Sequence, residues 1–335
     1  MVKKNIVGSV AFLFTDSAKT DKEKPFSNMT KNKAHVLFSK IAKKSGLNVF
    51  FADYKEYFNG ALKKSWYYNR GWKLVHDQGI DVIYSRFAAS IYSNNKRNKA
   101  AEKFKHYMAK HTPMINHPTI DEFCWDKLII REFFPEYTPK TFIINTKKKL
   151  KTVLPRIKTQ KYVLKPRYGT LGKDIHILDK DELPKKVKKD TLVQEFIDTS
   201  GGVKGITHRV HDLRVIVANG KIDHTFVRIP KKNMLIANVS LGARKEFFSS
   251  KKLSPEAVKI VKKVDKLLKS HKPRLYSVDF LFNKEQKPYI VECNSQPMID
   301  KYAYGKFADP RFYIRICKLL KSSISSQTVH SYNDH

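Results

Sequence analysis

Apolar and polar residues alternate with two different periods along this chain, and the changes of period predict its elements. The apolar run from Ile6 to Phe14 reads as a buried strand. Ala34 to Ser45 carries apolar residues at Val36, Leu37, Ile41 and Ala42, a helical spacing, and Gly46 closes that helix. Leu47 to Ala52 is the next strand, and Asp81 to Phe87 a third that ends in the polar pair Ser85 and Arg86. This alternation over the first ~115 residues predicts a Rossmann-like parallel-sheet domain of the α/β class. No GxGxxG follows the first strand, which argues against dinucleotide binding. Asn94 to Met108 reads as a basic helix with one face in solvent.

The pattern shifts at His111-Thr112-Pro113-Met114-Ile115-Asn116-His117-Pro118. Thr119 is placed to cap a helix that carries Asp126-Lys127 and runs to Phe134, with Pro135 and Pro139 breaking the chain before a strand from Thr141 to Asn145. Tyr162 to Pro166 and Asp174 to Leu178 read as a hairpin around a glycine loop, and Leu192 to Ile197 as a further strand. Ser200 to Gly205 is a flexible connection. From His211 the signal is antiparallel: Leu213 to Ala218 and Lys221 to Ile229 flank Asn219-Gly220, a strong two-residue hairpin turn. An amphipathic helix spans Ser254 to Leu268, with a stripe at Val258, Val261, Val264, Leu267 and Leu268. A second hairpin joins Tyr276 to Phe282 and Pro288 to Cys293. Ser322 to His335 is a polar tail to which no structure is assigned.

Composition adds a partner class. The chain has 335 residues with 41% hydrophobic and 12% aromatic content, enough for two or three folded domains. Its 66 Lys+Arg against 31 Asp+Glu give a formal charge of +35, a field that attracts RNA, a ribosome or an acidic peptide. A merely solvated lysine-rich surface is the competing explanation. The clusters Lys147-Lys148-Lys149 and Lys185-Lys186-Val187-Lys188-Lys189 are not interleaved with stacking aromatics. Three cysteines, Cys124, Cys293 and Cys317, form no CxxC pair, which suits a reducing compartment; a cytoplasmic location is expected. No apolar run reaches the ~18 residues of a membrane span, and the N-terminal run lacks a cleavage pattern.

Two distant stretches carry the chemistry. In Tyr162-Val163-Leu164-Lys165-Pro166-Arg167-Tyr168-Gly169-Thr170-Leu171-Gly172-Lys173, a strand delivers Lys165 to a loop whose Gly169 and Gly172 let backbone amides approach phosphate oxygens. A buried lysine there needs an anion. Downstream, period-two alternation puts Glu292 and Asn294 on one face of a strand, with Asp279 on its neighbour, an oxygen set that suits Mg²⁺. Pairing of Asp279 and Glu292 with lysines is the alternative. Cys293 faces away. Asp212 and Arg214 share a face as candidates for phosphate or substrate. The simple register of the Asn219-Gly220 turn pairs Ala218 with Lys221 and sets Arg228 opposite His211, on the reverse face from Arg214, unless a bulge re-aims it. Asn238 and Arg244 lie in a glycine-containing loop, suited to phosphate or carboxylate or to ordinary surface hydrogen bonds. Gln194-Glu195-Phe196-Ile197 ends a strand and offers edge groups and apolar cover to an adenine. Arg86 is a candidate contact for a substrate carboxylate.

The ordered set Asp126-Lys127, Lys165 with its glycine loop, Gln194 to Ile197, His211-Asp212-Leu213-Arg214, Asp279 and Glu292-Cys293-Asn294 resembles the ATP-grasp superfamily over roughly residues 115 to 300. Arg228-Ile229-Pro230, Asn238 and Gly242-Ala243-Arg244 are similar to prokaryotic glutathione synthetase and to ligases that add glutamate to a ribosomal protein. The resemblance implies two α+β subdomains gripping ATP after a preceding α/β domain. The implied divisions are residues 1–116, 117–196 for the lid, 197–325 for the metal-bearing part, and a tail at 326–335. It implies Lys127 and Lys165 on phosphates and adenine, and Gln194, Glu195 and Ile197 lining adenine and ribose, with Phe196 beside them. Asp279, Glu292 and Asn294 would hold Mg²⁺, two ions in the expected case, with Mn²⁺ as a substitute. Arg214, Arg228, Asn238 and Arg244 would serve catalysis. The implied activity is an ATP-dependent carboxylate–amine ligase working through an acylphosphate, on a small carboxylate plus an amino acid or peptide amine. A dimer or tetramer is compatible with it, and no membrane is involved. The competing activities are a kinase on the same scaffold and a basic nucleic-acid-binding protein with a non-catalytic nucleotide site. Leu171 and Lys173 depart from glutathione synthetase, the hairpin from Arg214 to Arg228 is a residue shorter, and the first domain shows no glutamyl-cysteine pocket. These differences bear on the substrate.

Overall fold

A computed structural model of the chain describes residues 8–15, 24–26, 29–87, 96–169, 174–237, 241–297 and 310–330. The chain forms two compact units: Met1–Ile120 with Ser270–Leu275 and Gln296–His335, and Asp121–Lys269 with Tyr276–Ser295.

The first unit contains β1 (Gly8–Phe14), α1 (Met29–Lys44), β2 (Leu47–Asp53), β3 (Tyr57–Phe58), β4 (Ala61–Tyr68), β5 (Trp72–Gly79), β6 (Val82–Ser85), α2 (Lys96–His111) and β7 (Met114–Ile115). The expected parallel core is present: β1 pairs in parallel with β2 and β6, and β6 with β7. Its apolar runs bury Val10 to Leu13, Val49 to Ala52 and Val82 to Tyr84. The strands β3, β4 and β5 were not announced by the hydrophobic pattern. They extend the sheet antiparallel from β2, and β5 pairs with β4. Lys63 and Lys64 are both exposed beside Asp77 at φ 49°, a kink that interrupts the alternation on which a strand assignment depends.

The second unit holds two sheets. The helix expected from Thr119 to Phe134 is two helices, α3 (Pro118–Trp125) and α4 (Lys127–Phe133). Asp126 breaks it: its backbone is extended and its carboxylate accepts from the Leu128 amide at 3.0 Å, a helix start rather than a helix interior. The chain continues through β8 (Thr141–Ile144), α5 (Lys147–Val153), β9 (Lys161–Pro166), β10 (His176–Asp179) and β11 (Thr191–Glu195). These strands form an antiparallel sheet in the order β10-β9-β11-β8. One face buries Ile144, Tyr162, Leu164 and Val193 with Leu150 and Val153 of α5. The basic run at Lys147 is the start of a helix capped by Thr146.

The last elements are β12 (Asp212–Ala218), β13 (Lys221–Ile229), β14 (Arg244–Phe248), α6 (Pro255–Leu268), β15 (Leu275–Phe282), β16 (Pro288–Asn294) and, in the first unit, α7 (Pro310–His330). The five strands are ordered β14-β13-β12-β15-β16. Arg244 begins a strand where a loop was expected. The helix α6 starts at Ser254, whose hydroxyl accepts from the Ala257 amide at 3.2 Å, and buries Ala257, Ile260, Val261, Val264 and Leu268. Each of the four larger side chains contributes about 1.5–3 kcal/mol by leaving water. Leu267, expected in that stripe, is exposed. Tyr276 donates to Asp265 of α6 at 3.1 Å, which places α6 on the Tyr276/Val278/Phe280 side of β15 and leaves the Ser277/Asp279 side for the site. The polar stretch from Ser322, expected without structure, continues α7 as helix to His330. All three cysteines are buried and free of disulfides. No helix among the described residues is long and apolar enough to cross a membrane.

Candidate nucleotide and metal site

The site grows from the polar faces of the two sheets of the second unit. On β9 and β11, Lys165 pairs with Leu192 and Gln194 follows two residues later, so both point away from the Tyr162–Val193 core. Lys165 is buried and donates to Oε1 of Gln194 at 2.9 Å and to the Val291 carbonyl of β16 at 3.4 Å. The Gln194 amide in turn donates to the Thr141 hydroxyl at 2.7 Å. The two distant stretches singled out in the sequence therefore meet.

Lys127 opens α4 and reaches the glycine loop, donating to the Gly169 carbonyl at 2.8 Å. The loop is clamped from the same helix end. Arg167 makes a bidentate pair with Asp126, at 2.8 and 2.5 Å, which is charge-assisted and planar. The sequence pattern alone does not pair these two residues, although a carboxylate at a helix start and an arginine beside the loop glycine are its available signal. A Cβ on Gly169 would lie 3.0 Å from Cγ of Pro166, so the turn is tight. Gly172 and Asn238 lie outside the described residues.

Burial depresses both lysines. It pushes the Lys165 ammonium down to about 7, with repulsion from Lys127 adding to the effect and Glu292 opposing it. Lys127 is lowered by burial as well, against the attraction of Glu292 and Asp126. Two desolvated cations with one shared acidic neighbour form a site short of negative charge. A polyphosphate supplies that charge, which is the physical sense in which the residues fit a nucleoside triphosphate.

On the five-stranded sheet, Asp279 lies directly opposite Glu292, and Ser277 opposite Asn294. The three oxygen-bearing side chains therefore share one face, with Cys293 opposite Val278 on the other. Asp279 is fully buried. Arg214 binds both of its oxygens, at 2.7 and 2.5 Å, and Arg228 donates to Oδ2 at 2.7 Å. Arg228 also forms a bidentate pair with Asp212. Burial alone would raise the Asp279 carboxyl, but the two guanidiniums outweigh it and hold the group below its ordinary value. Burial pushes Asp212 up to about 6, against Arg228 and with the charge of Asp279. The adjacent His211 is a structural member. It is pushed down to about 4 by burial, and Nε2 accepts from the Phe282 amide at 3.3 Å.

A bulge decides the place of Arg228. The β12–β13 register runs Val217 with Ile222 but Ile216 with His224, leaving Asp223 as the extra residue. Beyond it Arg228 pairs with Asp212, on the face of Arg214, and not with His211 as the unbulged turn requires. The same register settles the next strand. Lys245 pairs with Arg228 and lies on the site face, its ammonium 4.9 Å from the Phe226 ring centroid. Arg244 pairs with Ile229 on the reverse face, is exposed, and ion-pairs with Glu246. The structure thus does not bring Arg244 to the cluster, and places there Lys245, which the sequence pattern had not marked. Arg244→Gln is expected to leave steady-state turnover within about twofold of wild type, as surface changes do; a loss of tens-fold would restore Arg244 to the site.

The strand end beside the lysines is half-buried. Oε1 of Glu195 accepts from the Lys158 amide at 3.1 Å, and the Phe196 amide donates to the Thr159 hydroxyl at 3.2 Å; Ile197 follows outside the strand. Arg86 belongs to the first unit, where its guanidinium lies 5.7 Å from the Tyr84 ring centroid.

The sequence matches the RimK-like ATP-grasp domain over residues 123–307. Solved structures share the fold across nearly the whole chain at low identity. D-cycloserine synthetase DcsG is 10% identical, with a TM-score of 0.62, covering 95% of this chain and 100% of that one. The ATP-grasp ligase PsnB, complexed with minimal precursor, Mg and ADP, is 10% identical with a TM-score of 0.59, covering 94% and 98%. A Chryseobacterium gregarium RiPP-associated ATP-grasp ligase, in complex with ADP and a leader and core peptide, is 13% identical with a TM-score of 0.58, covering 93% and 96%. None of the proteins of curated function matches the sequence. With the family match extending over more than half the chain, and the ATP-grasp fold over nearly all of it, the chain belongs to the RimK-like ATP-grasp family and is an ATP-dependent ligase.

Proposed function

We propose that this ligase joins a substrate carboxylate to an amine through an acylphosphate, with MgATP bound between the two sheets of the second unit. The observation that carries the reading is the meeting of Lys165 with β16, which brings two desolvated lysines beside a face bearing Glu292, Asn294 and Asp279. Lys127 and Lys165 hold phosphate oxygens, with Gly169 beside them. Gln194, Glu195, Phe196 and Ile197 border the adenine and ribose. Glu292 and Asn294 would hold Mg²⁺, in the fullest form two ions, which would screen the phosphate charge; Asp279, expected as a third ligand, has both oxygens engaged by Arg214 and Arg228 and positions those arginines. Asp212 fixes Arg228, and Arg214 and Arg228 direct positive charge at the transferred group.

The substrate carboxylate attacks the γ-phosphorus and ADP leaves. The amine then attacks the acyl carbon, the carbonyl reforms, and phosphate leaves as the nitrogen loses a proton. The side chains contribute position and charge in both steps. The names of PsnB and the RiPP-associated ligase, which were captured with precursor, leader or core peptides, make peptides one substrate arm and free amino acids the other. The test is a screen of both arms for ADP release, with hydroxylamine as the trap. Hydroxamate formation with a carboxylate substrate is expected; a phosphorylated hydroxyl product without any amine would make the protein a kinase.

The depressed Lys165 gives a pH signature. Phosphate favours the charged ammonium, so binding raises its pKa and takes up a proton wherever the free group is deprotonated. Below about pH 6 the free lysine is already charged and no uptake occurs. Above pH 7 the MgATP dissociation constant is expected to rise by about tenfold per pH unit, with uptake nearing one proton per site. Calorimetry in buffers of different ionisation enthalpy measures the uptake. Lys165→Met should flatten it, and wild-type binding without uptake at pH 8 would contradict the assignment.

A further inference from the structure

The hairpin β4–β5 carries a basic and aromatic surface that no run in the sequence displays. From Lys64 to Tyr68 the cross-strand pairs are Lys64 with His76, Ser65 with Val75, Trp66 with Leu74, Tyr67 with Lys73 and Tyr68 with Trp72. Ser65, Tyr67 and Val75 turn toward the core around Phe50 and Leu62, so Lys64, Trp66, Tyr68, Trp72, Leu74 and His76 make up the opposite face. Phe51 pairs with Trp66 and touches Trp72 edge-on at 5.3 Å between ring centroids, which anchors the aromatic end against the β-sheet. Trp72 also meets Tyr68 at 5.3 Å. Toward the other end, Lys64 and His76 are exposed and Leu74 is 41% exposed, a large apolar side chain facing water.

Lys64 brings charge onto this face and Arg70 stands in its turn, while Lys73, paired with Tyr67, lies on the reverse face and the Lys63 ammonium is 5.1 Å from the Phe58 ring centroid. Between Ala61 and Gly79 the sequence has Lys63, Lys64, Arg70 and Lys73 against the single acid Asp77. The basic last turn of α1 adjoins the hairpin end, where Lys43 donates to Asn69 at 3.1 Å. The outer edge of β5 pairs with no strand among the described residues. Half-buried rings set among cations suit a ligand that is anionic and flat in alternation. Phosphates answer the lysines and bases answer the rings. An acidic peptide answers the charge alone.

We infer that this face, which belongs to the first unit of the chain, binds single-stranded RNA. The composition fits, since the formal charge of +35 exceeds what a phosphate-binding cleft requires.

The experiment is fluorescence anisotropy of the full chain with a labelled twelve-residue oligouridylate at 50 and 200 mM salt. Binding that weakens steeply with salt is expected. Trp66→Leu should weaken it about tenfold, with folding checked by circular dichroism. The exposed pair Lys64→Gln/His76→Gln, which touches no core, should weaken it about as much. Lys147→Gln/Lys148→Gln, a charge change on α5, should leave it within about twofold. Glu292→Ala, whose target is the other site, should bind the oligonucleotide as wild type does, so loss of ligase activity and loss of RNA binding are separable. Equal losses in the hairpin and α5 variants would reduce the effect to diffuse charge and overturn the inference. So would no binding at 50 mM salt. Tighter binding of oligoglutamate with the same variant pattern would overturn it too, by making this a surface for acidic peptides.

Discussion

Glu292→Ala is expected to lower turnover by at least about a thousandfold while leaving the fold in place. Removing a single group that stabilises developing charge costs roughly a hundred- to a thousandfold in other enzymes, and a metal ligand also holds the phosphates in register. Glu292 is also the acidic neighbour that supports both Lys127 and the buried Lys165, so its loss depresses Lys165 further. Folding is spared for a specific reason. Glu292 is half-buried, and no hydrogen bond or ion pair to it occurs among the described residues. Steady-state ADP release and a thermal melt measure the two halves of the expectation. Retained activity would remove the metal assignment; a melting point lowered by more than ten degrees would make the residue structural.

Asp279→Ala is expected to behave in the opposite way, with stability lost along with activity. Asp279 sits between two guanidiniums that are themselves buried, and Asp212 ion-pairs with Arg228. Truncating it strands Arg214 with its charge unpaired. Breaking a buried ion pair from one side costs about 3–5 kcal/mol. For a cooperative unit of this size that lowers the melting point by roughly 6–20 °C. Replacing the pair together, Asp279→Leu with Arg214→Met, should recover part of the loss without recovering activity, because no charge is then stranded. A melting point of Asp279→Ala within two degrees of wild type would contradict the burial argument. The contrast between two carboxylates that face each other across one strand pair is therefore itself a test: one is held by the protein, the other is left for the ligand.

What the sequence made legible follows from how local each signal is. Glu292 and Asn294 were placed on one face because alternation along a strand needs no knowledge of the partner, and β15–β16 obeys it as far as the bulge after Asp279. Lys165 was recognisable because an apolar strand ending in a lysine and a proline, before glycines, is a local conflict that only an anion resolves. Arg228 was not placed, since its face depends on the extra residue at Asp223, and nothing in Lys221-Ile222-Asp223-His224 marks a bulge. The faces of Arg244 and Lys245 were not legible for the same reason: which of two adjacent cations lies on the side of Arg228 is fixed by the pairing of β14 with β13, a contact between distant segments. The parallel core of the first unit was legible from its apolar runs. The hairpin β4–β5 was not, because Lys63 and Lys64 interrupt its alternation and its aromatics become a surface only when the strands pair.

The central claim is that a single triphosphate, with its divalent ions, joins these scattered groups. A crystal structure of the chain with Mg²⁺ and a non-hydrolysable ATP analogue tests it most directly. Phosphate oxygens within hydrogen-bonding distance of both Lys127 and Lys165, with a metal ion ligated by Glu292 and Asn294, is the result expected. A nucleotide bound elsewhere, with Lys165 still donating to Gln194 and no ion at Glu292, would contradict the account.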